Sequence, residues 1–304
     1  MVLSSGVIVN ANQTTNTHLY RALEGGSNNF SIVTRFDMKL FPQGILWGGS
    51  IGSDITLRPQ IFQFLESFTN SATYDPYAAF INSYSWFNGA WIVVSNVEYT
   101  RSEPYSPAFK GYTDLPQLFN TMRIANLTSF TDELDAANPR GHRQLFATLT
   151  HTNNAAFMET FFQLANATVP SISTVPSLRF SISYQPQPQI LVSKGALTGG
   201  NSLGLDAADG DVVNVSLTAT WTDSASDTVV TAAAQTLFGQ AGTAAKNAGL
   251  YDDYVYLNYA AEWQKPITGY GIRSKTQLIR TSNLYDRTQL FQIAVPGGFK
   301  LGEA

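Results

Sequence analysis

Apolar and polar positions alternate along much of the chain, and stretches of helical period interrupt that alternation. Residues 78–87 and 90–99 are two apolar-rich runs joined by Asn88-Gly89. Both joining residues tolerate positive φ, so the spacing predicts a β-hairpin. Strand patterning recurs over 117–124, 144–151, 179–184, 212–221 and 254–259. Near the start, residues 2–3 and 7–9 flank Ser5-Gly6 as a second, shorter hairpin, and residues 30–41 alternate until Pro42-Gln43-Gly44 breaks the run. Helical spacing places Ile61, Phe64, Leu65 and Phe68 on one stripe of residues 58–68, with Pro59 in the first turn. Further helices are predicted over 129–136, 154–165 and 272–284, and a long one over 224–248. In that long helix Val229, Ala233, Leu237 and Phe238 face inward, and Gly249 caps the end. Antiparallel strands alternating with helices in this way predict an α+β fold, a sheet backed by helices.

Composition narrows the function classes. With 44% hydrophobic and 13% charged residues, the 304-residue chain can bury a large core. A net charge of -4 and the absence of any basic run argue against nucleic acid as a partner. There is no cysteine, which excludes disulfides, thiolate catalysis and Cys-ligated metal within the chain. No stretch has the apolar length of a membrane span, and residues 1–6 lack the pattern of a signal peptide. Asn-x-Ser/Thr triplets at Asn12, Asn29, Asn126, Asn166 and Asn214 are of the kind that arise by chance in a chain rich in these residues.

The familiar catalytic constellations are missing. His18, His142 and His151 have no metal-ligand spacing, and His151, ending an apolar strand, is read as structural. Neither a nucleophile elbow nor a Walker loop occurs. The turn around Gly25-Gly26 would let backbone approach a ligand, and is equally an ordinary surface turn. Tyr254, Tyr256 and Asn258 would share one face of a strand, with Tyr259 on the other. Each polar tip on such a row needs a partner, which suits a hydrogen-bonded core ladder or the floor of a site.

Two segments carry a resemblance. Gly25-Gly26-Ser27-Asn28-Asn29-Phe30-Ser31-Ile32-Val33-Thr34, preceded by the 2–10 hairpin, is the first; Tyr256-Leu257-Asn258-Tyr259, Pro266 to Gly271 and Val295-Pro296-Gly297-Gly298-Phe299 form the second. In these the chain resembles the berberine-bridge-enzyme-like family of FAD-linked oxidoreductases, within the vanillyl-alcohol-oxidase (PCMH-type) fold group. The resemblance implies three parts: residues 1–45 as part of the second FAD-binding subdomain, 46–250 as a substrate domain whose antiparallel sheet roofs the flavin, and 251–304 returning to the FAD domain. Gly199 to Leu205 would be a loop of the substrate domain.

It further implies FAD as cofactor, cradled by Gly25, Gly26, Asn29, Phe30, Ile32, Val33, Asn258 and Tyr259. Tyr256 would be the catalytic base and Gln185 a hydrogen-bond donor from the sheet. A phenol ordinarily titrates near 10, so a base at neutral pH needs donors beside its oxygen. The substrate would be a hydroxyl- or amine-bearing small molecule of secondary metabolism, with hydride passing to flavin and dioxygen as reoxidant. A flavin-free binding module and a non-redox cyclase are the alternatives. Family members are often secreted. They also carry a preceding flavin-anchoring subdomain, so a chain whose Met1 falls inside a hairpin is expected to be shortened, with an apolar face of residues 1–41 left exposed.

Overall fold

A computed structural model describes residues 1–138 and 140–302, and these divide into two compact units. The first comprises residues 1–41, 189–210 and 253–304; the second, residues 42–188 and 211–252. The strands are β1 (Leu46–Ser53), β2 (Ala78–Phe87), β3 (Ala90–Tyr99), β4 (Phe119–Asn120), β5 (Arg123–Ala125), β6 (Arg143–Thr152), β7 (Arg179–Gln187), β8 (Val212–Trp221) and β9 (Tyr251–Asp252). The helices are α1 (Thr17–Leu23), α2 (Arg58–Thr69), α3 (Lys110–Thr113), α4 (Leu127–Ala137), α5 (Ala155–Thr168), α6 (Gln189–Val192), α7 (Asp227–Asn247), α8 (Pro266–Gly269), α9 (Gly271–Tyr285) and α10 (Leu290–Ile293).

All the strands lie in the second unit and form one antiparallel sheet, in the order β4-β1-β3-β2-β7-β8-β6-β9, with β5 also on β1. The β2–β3 hairpin turns at Asn88 (φ 52°) and Gly89 (φ 84°), the left-handed pair that the sequence predicts. The single strand expected over 117–124 is instead two short ones. Gly49 opposite them has φ 146°, and a Cβ there would stand 2.8 Å from the Thr121 carbonyl oxygen. The close approach marks an irregularity between them where the ladder breaks.

Helices α2, α5 and α7 join the sheet around an aromatic core. Phe62 meets Tyr84 and Tyr184 at 4.9 and 5.2 Å, Tyr84 meets Phe162 at 5.4 Å, and Phe161 meets Phe238 at 5.6 Å. Asn154 caps α5 by accepting from the Phe157 amide (2.8 Å), and Arg58 on α2 forks onto Glu159 on α5 at 2.6 and 2.9 Å. The long helix begins at Asp227, after a 3₁₀ turn over Ser224–Ser226. The expected inward position Val229 is 41% exposed and Val230 is buried instead, because a residue's phase on a helix moves 100° per position.

The first unit is built mostly from helices and turns around Leu19, Ala22, Phe30, Tyr254, Ile267, Tyr270, Leu278 and Leu301. Its N-terminal hairpin is present as Leu3 N–H to Val7 O (3.0 Å) and Val9 N–H to Met1 O (3.0 Å), and Val2 also exchanges both backbone bonds with Ile32 at 2.9 Å. Beyond that bridge residues 33–41 form no strand, so the alternation read there has no ladder to support it. Residues 199–205, expected in the substrate domain, pack on α1: Ser202 N–H donates to Glu24 O at 2.8 Å and Ser202 Oγ to Arg21 O at 2.8 Å. Apolar side chains stand out in water as expected for residues 1–41. Ile8, Ile32, Phe36, Met38, Leu40 and Phe41 are all exposed, Leu40 to 88%.

Candidate functional site

Residues 254–259 were expected as a strand, and the structure corrects this. A 3₁₀ turn spans Leu257–Tyr259, closed by Tyr259 N–H to Tyr256 O at 3.0 Å, so there is no common face of alternating side chains. The turn gathers the phenols by another route. Tyr254 is buried and lies nearly parallel to Tyr256 (6.5 Å) and Tyr270 (6.1 Å), while Tyr259 meets Tyr256 edge-on at 4.7 Å. Exposed Asn258 folds back so that its Nδ2 donates to Tyr256 Oη at 2.9 Å. Tyr270 Oη donates to Gly25 O at 3.1 Å, and burial, reinforced by Tyr256, pushes its phenol far above the usual range. Tyr270 is thus a fixed donor. Tyr256 is the partly exposed phenol with a neutral amide aimed at its oxygen.

The Gly25–Val33 segment packs against this cluster. A Cβ on Gly25 would meet Leu203 Cδ2 at 2.8 Å; one on Gly26 would meet the Ala22 carbonyl oxygen at 2.3 Å and the Phe30 ring at 2.5 Å. Both glycines are therefore required by packing within the unit. Asn29 is fully buried, donating to Gly26 O (2.8 Å) and Phe299 O (2.9 Å) and accepting from Gln292 (3.0 Å). Phe30 is fully buried in the core, so what Asn29 and Phe30 offer a cofactor is the backbone they hold in place.

Their neighbours Ser27, Asn28, Ser31 and Val33 border a cleft of about 1030 Å³, lined also by Asn10, Gln13 and Tyr20 among others. Ligand sites span about 300–1,000 Å³ and mix apolar walls with a few polar groups, so the cleft has the size and chemistry to hold part of a dinucleotide. Gly25, Gly26, Asn29 and Phe30 do not line it; Val33 does, and Ile32 turns its side chain to solvent.

In the second unit the face of the sheet opposite the aromatic core carries small polar side chains. Ser83 and Ser183 lie 2.7 Å apart and Ser85 and Ser181 2.9 Å apart, paired across β2 and β7. Gln185, partly buried, alternates to this face from core-facing Tyr184 and is in register with Asn214 on β8. Asn214 Nδ2 donates to Thr148 Oγ1 at 2.9 Å. Because Asn214 and Asn29 are buried, those two glycosylation triplets are closed to modification in the folded chain.

Sequence reasoning passes over a carboxyl pair on the same face. Glu98 on β3 is in register with Gly48 and Ala79, neither of which can offer it a partner. Burial, with Glu133 nearby, pushes its carboxyl up to about 7. Burial also acts on Glu133, but Thr121 (2.7 Å), Ser50 (2.8 Å) and Arg123 bind it and hold it below the usual carboxylate range. A lone Glu directly after the neutral run Trp91-Ile92-Val93-Val94-Ser95-Asn96-Val97 was the available signal.

Comparison with known proteins gives a consistent picture. No protein-family model matches the chain. It is 36% identical over 319 residues to the FAD-dependent monooxygenase CTB5 of Cercospora beticola, covering 99% of this chain and 59% of that protein. It is likewise 36% identical over 318 residues to the FAD-dependent monooxygenase elcE of Phaeosphaeria nodorum, covering 100% of this chain and 92% of that protein. Among solved structures, 6-hydroxy-D-nicotine oxidase from Arthrobacter nicotinovorans superposes with a TM-score of 0.72 at 13% identity, covering 96% of this chain and 63% of that one. Acremonium strictum glucooligosaccharide oxidase gives 0.73 at 14% identity, covering 95% and 63%. At such identities the structural likeness speaks for the fold alone. No helix among the described residues is long and apolar enough to cross a membrane.

Proposed function

This chain belongs to the berberine-bridge-enzyme-like FAD-linked oxidoreductases, and we propose that it supplies the catalytic phenol and substrate-binding sheet of an enzyme oxidising a hydroxyl- or amine-bearing small molecule. The observation that carries this reading is the 2.9 Å bond from Asn258 Nδ2 to Tyr256 Oη. A donor aimed at an oxygen stabilises negative charge that develops there, which is what proton abstraction by a phenol requires. Tyr256 would take the substrate's O–H or N–H proton. Tyr259, packed edge-on, and Tyr254, stacked behind, hold its ring in place. Bound FAD would supply the two-electron acceptor, held along residues 25–33, and dioxygen is the proposed final oxidant. Gln185 on the polar face of the sheet is the proposed substrate-side donor. The exposed apolar side chains of residues 1–41 support a further part of this reading, that they dock a flavin-anchoring layer.

The test is a visible absorption spectrum of the purified protein after expression with added FAD, followed by Tyr256→Phe. A co-eluting flavin band that is reduced by substrate in the parent and not in the variant bears the reading out. A flavin band that no alcohol or amine bleaches sinks it, and a colourless protein favours the flavin-free alternatives. The relatives' names favour a second reading, monooxygenation. Incorporation of label from ¹⁸O₂ into product would select it over simple oxidation.

A further inference from the structure

Helix α9 leaves one face uncovered within its unit. It buries Leu278, Thr281 and Ser282 and turns Ile272, Arg273, Ile279 and Arg280 to solvent, with Ile272 81% exposed. Ile272 and Ile279 stand seven residues apart, as do Arg273 and Arg280, and seven residues bring a helix back to within about 20° of the same direction. The isoleucines and arginines therefore run side by side along one stripe. Leu284, 57% exposed, and exposed Arg287 extend it to the helix end and just beyond.

The charge on this stripe is one-sided. In a chain of net charge -4, α9 contains Arg273, Lys275 and Arg280 and no Asp or Glu. Arg273, Arg280 and Arg287 form no ion pair, hydrogen bond or ring contact among the described residues. Asp286, next to Arg287, is fully buried and spends its carboxylate on the Leu290 and Phe291 amides at 3.0 and 2.8 Å. Where the stripe ends lies a hollow of about 240 Å³, lined by Leu284, Arg287 and Thr288 together with Leu3 and Ser5 of the N-terminal hairpin. The Arg287 guanidinium and the exposed Ser5 hydroxyl there are donors for a phosphate oxygen, set beside two leucines.

Bare cations interleaved with exposed isoleucines restrict the partner. A protein interface is depleted in charge at its centre, so each guanidinium would need a carboxylate placed opposite it. A layer of anionic headgroups supplies acceptor oxygens at every position, and the acyl boundary beneath it takes the apolar side chains.

We propose that the exposed stripe of α9 docks on an anionic phospholipid surface. Ile272, Ile279 and Leu284 rest at the acyl boundary, Arg273 and Arg280 lie on headgroup phosphates, and one phosphate sits against Arg287 and Ser5 in the hollow. The experiment is co-sedimentation of the full chain with vesicles of phosphatidylcholine, with and without about one-third phosphatidylserine. The chain pellets with the anionic vesicles and stays in solution with the neutral ones. Raising sodium chloride from about 0.05 to 0.2 M releases it, an arm that requires no variant. Each of Arg273→Gln, Arg280→Gln and Arg287→Gln weakens partitioning about five-fold, the share of one cation near such a surface. Ile272→Ser weakens it by a similar factor. The melting temperatures of these variants match the parent's, because the replaced side chains are exposed. Inorganic phosphate at matched ionic strength does not compete. Equal binding to both kinds of vesicle, binding to neither, or binding unchanged in the variants overturns the assignment. Displacement by inorganic phosphate would give the hollow to a soluble anion, and pelleting without vesicles that the variants abolish would give the stripe to a second copy of the chain. Either result overturns it as well.

Discussion

Replacing Glu98 by Gln should expose a pH dependence of stability that the parent conceals. Burial moves Glu98 from 4.5 up to about 7, and burial moves His151 from 6.5 down to about 4 against the opposing bond to the Thr152 carbonyl. For Glu98 the folded state binds the proton more tightly, so its contribution is complete below 4.5 and is lost as pH rises through 7. For His151 the unfolded state binds the proton more tightly, so stability is complete above 6.5 and is lost as pH falls towards 4. Each slope is at most about 1.4 kcal/mol per pH unit, and the two have opposite sign. Between 4.5 and 6.5 they largely cancel.

Glu98→Gln removes one slope and keeps the side-chain volume. The variant's stability should therefore climb with pH across that window by about 1 kcal/mol per unit. Near pH 8 it should exceed the parent by at most about 3 kcal/mol, less whatever water reaching the partly exposed carboxyl takes away. Urea unfolding followed by tryptophan fluorescence reads this directly, since Trp47, Trp86, Trp91 and Trp221 lie in the same unit as both groups. Parallel stability curves for parent and variant from about pH 4.5 to 8 would refute the reasoning, because they would mean Glu98 titrates alike folded and unfolded.

Other perturbations test other parts of the structure. Tyr256→Phe should slow substrate-driven flavin reduction by about 100-fold or more in stopped-flow, with flavin retention unchanged. Gly26→Ala forces a Cβ to 2.3 Å from the Ala22 carbonyl oxygen and should destabilise the first unit, seen as earlier loss of Trp263 fluorescence change in urea. The cost is on the order of 1–3 kcal/mol for an overpacked site. Replacing exposed Met38 and Leu40 with Ser and Gln should reduce self-association in light scattering while leaving the circular dichroism spectrum unchanged.

Elements that announce themselves locally were legible in the sequence. Asn88-Gly89 fixes its hairpin through two residues, and β8 is found over the residues that its pattern marks. Asn154 and Gly249 mark the ends of their helices by cap chemistry alone. The failures come from partners distant in sequence. Residues 33–41 alternate, but alternation makes a strand only where a neighbour supplies the ladder. The tyrosines at 254–259 alternate too, yet the turn at Leu257–Tyr259 lets Tyr254 stack on Tyr270 and Asn258 reach Tyr256. The candidate site residues rest on resemblance, and the turn that brings Asn258 to Tyr256 was not legible in the pattern. Glu98 was missed because its setting comes from Gly48, Ala79 and Glu133, on three other elements.

The core of the first unit joins Leu19, Ala22 and Phe30 to Ile267, Tyr270 and Leu278. During synthesis the early segment therefore leaves the ribosome with its packing partners still some 240 residues from being made. The second unit, mostly contiguous, can fold before the first is complete, and the helix and hairpin of residues 1–41 must wait, apolar side chains uncovered, until residues 253–304 emerge. Residues 1–41 thus wait through the synthesis of the whole second unit, and are the part of the first unit at greatest risk of aggregation or proteolysis in that interval.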